Sequence, residues 1–277
     1  MPKAHLRAMP HLHFTHNGVE SRGPNLVLIH GAGGESRCWP ATWRHAGDAA
    51  ATVGLALAHR PGRMLAHSVY AVDLPGHGRS PGLPLTSIEA MADTIEAFLE
   101  AEDIQSAIPV GHSMGGLIAL TLAARANPRL AGAVIVASSA RLAVTDQILD
   151  GLQADFPATV GFIVKYSFDR SATPFFPAKA REYTLAAGAR ATHADFAACA
   201  AVDLRPALAK ITLPVLVVTS EDDRMVPFEH QRALAEALPR GECVVIAGAG
   251  HYPQLERTDA TGRAIAGFAD RFAALNG

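Results

Sequence analysis

Cysteine is scarce in this chain: Cys38, Cys199 and Cys243 are the only three among 277 residues. An odd number at wide spacing excludes a disulfide framework and offers no CxxC pair for a metal, so the three read as small core residues. Excess charge of one sign is missing too. With 24 Lys and Arg against 26 Asp and Glu the formal net charge is −2, and no basic stripe breaks the balance, so nucleic acid is not an expected partner. Although 49% of the residues are hydrophobic, no stretch approaches the roughly eighteen consecutive apolar residues of a membrane span, and no membrane partner is expected. The opening MPKAHLRAMPHLHF carries charge but no continuous apolar segment followed by a small-residue cleavage site, which predicts a cytoplasmic protein. Internal repeats and low-complexity linkers are also absent. The length suits one large domain carrying an insertion.

What is present is a rhythm. Short apolar runs bounded by turn residues recur at 26–29, 69–72, 107–110, 133–136, 215–218 and 243–246. They are nearly unbroken rather than alternating, the pattern of strands buried on both faces of a parallel sheet. Segments of helical period lie between them. Thr86-Ser87-Ile88-Glu89 has the form of a capping box, followed by Ile88, Met91, Ile95, Phe98 and Leu99 on one face. Ile265, Phe268, Phe272 and Leu275 make a second stripe. The alternation predicts an α/β protein with a mostly parallel central sheet and helices on both faces. It lapses over 141–210, which has no strand run yet holds eight of the fifteen Phe and Tyr residues: Phe156, Phe162, Tyr166, Phe168, Phe175, Phe176, Tyr183 and Phe196. The expected division is a core of 1–140 and 211–277 with a helical cap of 141–210 inserted, most of its rings forming the cap's own core.

Three features invite chemistry. Val110-Gly111-His112-Ser113-Met114-Gly115-Gly116 leaves an apolar run and enters a helix, placing one serine between glycines at the carboxyl end of a strand, where open parallel sheets bind ligands. A GxSxG turn suits a nucleophile held in a strained conformation, because side chains at Gly111 and Gly115 would strike backbone. A serine needs a base, and the base needs a carboxylate. Glu221-Asp222-Asp223 follows one strand and Gly250-His251 follows another, so both partners are present, in that order. His30-Gly31-Ala32-Gly33-Gly34 is a glycine loop without the GxGxxG spacing or the lysine of a phosphate-binding loop, so no nucleotide and no other cofactor is expected. His11 and His13 would share one face of a strand with Leu12 and Phe14 opposite; with His16 they read as polar residues of a half-exposed strand, and no metal is expected.

HGAGG at 30–34, DLPGHGRS at 73–80, GHSMGG at 111–116, DDRMVP at 222–227 and GAGHYPQLE at 248–256 together make the chain resemble the α/β-hydrolase superfamily, in its capped, esterase-like group. The resemblance spans residues 25 to 275 and implies Ser113 as nucleophile, His251 as general base and Asp223 as acid. Glu221 and Asp222 remain rival carboxylates; Asp223 is preferred because the family's acid stands three residues before the valine of a Val-Pro pair. It also implies an oxyanion hole from the N–H groups of Met114 and Ala32, with Gly33 the second choice to Ala32. Gly33, His112, Phe162 and Tyr166 are candidates to line the substrate. His77 and His30 are expected to serve local structure. The 42 positions from Gly31 to Asp73 are long for this connection, with the surplus within 46–67, which leaves Trp39 and Trp43 without a clear place.

The function this implies is a cofactor-free serine hydrolase cleaving carboxylic esters with small to medium apolar acyl or aryl groups, acting as a monomer or homodimer. Thioester, lactone and carbon–carbon hydrolysis use the same triad. Relatives of the last kind often carry asparagine where this chain has His112. A non-catalytic ligand receptor of the same fold is the reading from another class.

Overall fold

In a computed structural model, which describes residues 11–21, 23–45 and 66–273, seven strands form one sheet. They are β1 (Phe14–His16), β2 (Asn25–Ile29), β3 (Val69–Val72), β4 (Ala107–His112), β5 (Ala133–Val136), β6 (Val215–Ser220) and β7 (Gly241–Ile246). The order is β1-β3-β2-β4-β5-β6-β7; β1 runs antiparallel to β3 and every other pair is parallel. The α/β architecture with a mostly parallel central sheet, expected from the strand rhythm, is therefore observed.

Side-chain alternation along the strands feeds two apolar layers. Val27 and Ile29 join one with Ile88, Ile95, Leu117 and Leu122, while Leu26 and Leu28 join the other with Val69, Ile265 and Phe268. Helices α2 (Ile88–Ala101) and α3 (Met114–Ala124) supply the first layer and the helix Thr258–Ala273 the second. Trp39 and Trp43, flanking the start of the short α1 (Ala41–Arg44), belong to the second layer, so both are core residues rather than pocket walls. The long excursion at 46–65 and Leu275 lie outside the described residues.

Three sequence expectations need correction. The cap of α2 is Ser87, whose side chain accepts from Ala90 N at 3.1 Å, so Thr86 and Glu89 fall one position out of capping-box register. Strand β7 is the sheet edge beyond β6. Glu242, Cys243, Val244 and Val245 are exposed, so Cys243 is a surface thiol while Cys38 and Cys199 are buried. The apolar run there reflects β propensity at an edge, not burial on both faces. Finally, the aromatic-rich segment between β5 and β6 folds as α4 (Asp146–Ala154), α5 (Phe156–Ser167) and α6 (Phe175–Ala201), but of its eight rings only Phe168 is buried. Phe162 and Phe175 are each 47% exposed.

Strands β2 and β4 are neighbours, with Ile29 opposite Gly111. The chain leaves β2 toward β3 on one side and leaves β4 toward β5 on the other. That divergence opens a crevice at their carboxyl ends, where a parallel sheet places its ligand. The glycine loop follows β2 there and Ser113 follows β4.

Candidate active site

Ser113 sits in the turn between β4 and α3 with φ 52° and ψ −114°, a conformation that a non-glycine residue holds only when its surroundings force it. They do. A Cβ on Gly111 would lie 1.9 Å from the carbonyl oxygen of Gly115, and one on Gly115 would lie 2.3 Å from that of Ile29. The tight approach of α3 to β2 and β4 thus requires both glycines, and Ser113 N is tied to Val136 O at 3.0 Å on the next strand. Ser113 is left partly exposed at the amino end of α3, where Gly116 N donates back to Ser113 O at 2.8 Å.

The acid and base candidates meet. His251 Nδ1 lies 2.9 Å from Asp223 Oδ2, both side chains buried, while Glu221 and Asp222 point to the surface. Asp223 is held from four sides: Oδ1 accepts from Met225 N (2.8 Å) and Val226 N (2.9 Å), and Oδ2 accepts from Gln231 Nε2 (2.9 Å) as well as from His251. With its Nδ1–H directed to a carboxylate, His251 keeps Nε2 free to take a proton. Its loop is clamped by Glu256, whose Oε1 accepts from Gly250 N (3.1 Å) and Tyr252 N (3.2 Å) and whose Oε2 accepts from Asp169 N (2.8 Å). His251 N donates to Ser167 O at 2.8 Å, docking the end of α5 beside His251. Gln231 lies outside every motif stretch, and Glu256, the last residue of GAGHYPQLE, carries no sign of its role as a support. The fold brings Gln231 to the carboxylate, while Glu256 reaches back over four to six positions to its own loop.

His112 links the two halves of the site. Its Nε2 donates to His251 O at 2.7 Å and its ring lies 4.9 Å from that of His251, centroid to centroid. Burial first, and the neighbouring His251 second, hold its basicity well below the ordinary histidine value, so it stays neutral. Ser113 itself carries no hydrogen bond to His251 among the described residues; the structure joins Asp223 to His251, and His112, the residue before Ser113, to the His251 carbonyl. The rings of Phe162 and Tyr166 on α5 lie 4.8 Å apart, centroid to centroid, tilted by 48°, with the Arg224 guanidinium 5.2 Å over Tyr166. Arg224 also donates to Lys165 O and Phe168 O, binding the acid loop to the end of α5.

The glycine loop turns on Gly34 N to Gly31 O, 3.0 Å. Gly33 has φ +62°, and a Cβ on it would meet Thr184 and Thr192 of α6 at 2.9 and 3.0 Å. Its N–H donates to Asp195 Oδ2 at 2.8 Å, so this amide is already engaged, whereas Ala32 N donates to no described residue. His30 spans the loop base: Nδ1 donates to Gly31 O at 2.9 Å and Nε2 accepts from Leu74 N at 3.1 Å. Burial and the nearby His77 charge lower its pKa to about 4. The carboxylate of Asp73 pins the turn after β3, accepting from Ser36 N (2.7 Å), Arg79 N (2.9 Å) and His13 Nδ1 (2.8 Å). His13 and His16 are thus committed to Asp73 and to Ser68, and no cluster among the described residues could hold a metal ion.

A parallel sheet with a divergence between β2 and β4, a strained serine after β4 and a His–Asp pair after β7 and β6 define a class of hydrolase scaffold. The model of the alpha/beta hydrolase family matches residues 26–264, and the chain belongs to that family. It is 28% identical over 261 residues to the pimeloyl-[acyl-carrier protein] methyl ester esterase of Xylella fastidiosa, covering 87% of this chain and 93% of that one. In fold it is similar to a thermophilic esterase from Thermogutta terrifontis (TM-score 0.79, 23% identity, 95% of this chain and 94% of that one). The enol-lactonase from Burkholderia xenovorans LB400 is equally similar (TM-score 0.79, 24% identity, 93% and 95%). Ester hydrolases are thus among its relatives. No helix of the described residues is long and apolar enough to cross a membrane.

Proposed function

We propose that the protein is a cofactor-free serine hydrolase of carboxylic esters. The observation that carries this reading is the buried His251–Asp223 pair, joined through His112 to the strained serine turn. Ser113 Oγ attacks the ester carbonyl while His251 Nε2 takes its proton, and Asp223 holds the imidazolium that forms. The serine–histidine hydrogen bond forms when substrate is bound, as proton relays commonly tighten in the loaded enzyme. The Met114 and Ala32 N–H groups receive the tetrahedral oxyanion; such donors are commonly worth about a hundredfold each in rate. Collapse expels the alcohol, protonated by His251. A water activated by the same nitrogen then attacks the acyl-enzyme and releases the acid.

The helices α4 to α6 act as the cap in this reading, and their half-exposed rings, Phe162 and Tyr166 among them, offer an apolar mouth for acyl or aryl groups. Free buried thiols at Cys38 and Cys199 suit a cytoplasmic setting. Hydrolysis of a p-nitrophenyl ester series from acetate to long acyl chains, by the native protein and by Ser113→Ala, tests the chemistry. The mutant is expected to lose several orders of magnitude in kcat, because the triad acts as a unit. Equal turnover by both proteins would sink the proposal; serine-dependent turnover confined to lactones or thioesters would move the substrate class without changing the machinery.

A further inference from the structure

The most enclosed ionisable pair outside the His251–Asp223 unit is His77 with Asp195, both side chains fully buried. Asp195 lies on α6, beyond the break at Gly188 (φ 85°, ψ 163°), and its Oδ2 receives two donors: Gly33 N at 2.8 Å and His77 Nε2 at 2.9 Å. His77 Nδ1 faces Pro75 O at 3.2 Å. Both ring nitrogens therefore face oxygen acceptors, which only a doubly protonated imidazole satisfies. A single carboxylate oxygen thus joins three separate pieces of chain: the helical insertion, the turn after β3 and the glycine loop after β2.

We propose that Asp195 is a positioning residue for the ester-cleaving reaction: by holding Gly33 it aims the adjacent Ala32 N–H at the developing oxyanion, with His77 as its cationic anchor. The inference rests on the acyl-transfer reading above and adds to it a role for the insertion. The geometry supports it from both sides of the loop. Gly33 is pressed against Thr184 and Thr192 so closely that no side chain fits, and its N–H is used for docking and not for catalysis. The neighbouring peptide is left with its N–H unspent. Releasing Gly33 would free the torsions on either side of Ala32 and let that N–H turn away, and displacements near 1 Å cost about a hundredfold in catalysis. Burial disfavours the His77 charge, yet the Asp195 hydrogen bond and charge outweigh it and raise its pKa. His30, Asp73 and Cys199 are the other titratable groups facing the pair; His30 is neutral and its ring lies 5.0 Å away, and Cys199 is a buried thiol.

The experiment compares native protein, Asp195→Ala and Asp195→Asn, with kcat counted per serine labelled by a fluorophosphonate so that only folded sites enter. A trifluoromethyl ketone supplies the second readout. Ser113 Oγ adds to its carbonyl carbon, the hydroxyl proton passes to His251, and the resulting oxyanion occupies the hole. Asp195→Ala is expected to lower kcat by about ten- to a hundredfold with KM within about twofold, and to weaken the ketone by the factor lost from kcat/KM. Asp195→Asn keeps an oxygen for Gly33 N–H and is expected to recover part of both. Should the alanine variant not fold, the isosteric asparagine variant decides: a several-fold loss in kcat matched by the ketone supports the role. Unchanged kcat per labelled serine, a loss confined to KM, or a kcat loss with ketone affinity untouched overturns it while leaving the hydrolase reading intact. A native protein without Ser113-dependent turnover removes the reading and this role together.

Discussion

At the scale of single residues, the site is built from positions where almost nothing else fits. A methyl on Gly111 would overlap the Gly115 carbonyl, and neither strand nor helix can retreat, since Gly115 is itself wedged against Ile29 O. Gly111→Ala is expected to destabilise the protein by about 3 kcal/mol or more, at the upper end of overpacking costs, read as a lowered melting temperature or loss of soluble protein. A second residue-scale prediction concerns Gln231, which is fully buried and donates to both Asp223 Oδ2 and Val226 O. Gln231→Leu withdraws one donor from a carboxylate that keeps three, so it is expected to cost about 1–3 kcal/mol in unfolding free energy and to lower kcat modestly. Urea unfolding together with ester hydrolysis would measure both.

At the scale of elements, most of the architecture was legible because buried parallel strands leave unbroken apolar runs and turns leave glycines. All six runs became strands, and Asp223 rather than its neighbours meets His251. What escaped has physical reasons. A capping register turns on one residue, and Ser87 outcompetes Thr86 only through the local path of the chain. An edge strand has the same composition as a central one, so the exposure of Val244 and Val245 on β7 is a property of strand order. Asp195 reaches Gly33 across 162 positions, a separation no local pattern spans. The break in α6 is a further element-scale feature. Gly188 occupies a region of φ and ψ open essentially to glycine alone, yet a Cβ there would touch nothing. Gly188→Ala is therefore expected to cost about 1–3 kcal/mol through backbone strain only, a clean case for thermal melting.

At the scale of the molecule, the buried histidines set the response to acid. His30 has its folded pKa lowered to about 4, so below the unfolded value of 6.5 the unfolded chain takes up the proton first and stability falls until about pH 4. The loss is of the order of 3 kcal/mol. His112 adds to it with the same sign. His77 works in the opposite direction: its raised pKa contributes stability that is fully present below 6.5 and is lost as pH climbs through the folded value. The melting temperature is expected to drop steadily from pH 7 to pH 4.5, and His112→Asn, which has no proton to gain in that range, is expected to flatten the descent.

Strand order also governs when the machinery becomes complete during synthesis. From β5 onward each new strand joins the sheet beside its predecessor, ending with β7, and the segment after β7 carries His251 and its Glu256 clamp. A ribosome-bound chain that has folded through β4 and β5 can hold the serine turn but lacks His251, the proposed general base, and its glycine loop still awaits Asp195. On the proposed mechanism, truncated or stalled chains of this protein are expected to be chemically silent, so fragments would pose a problem of aggregation rather than one of stray hydrolysis.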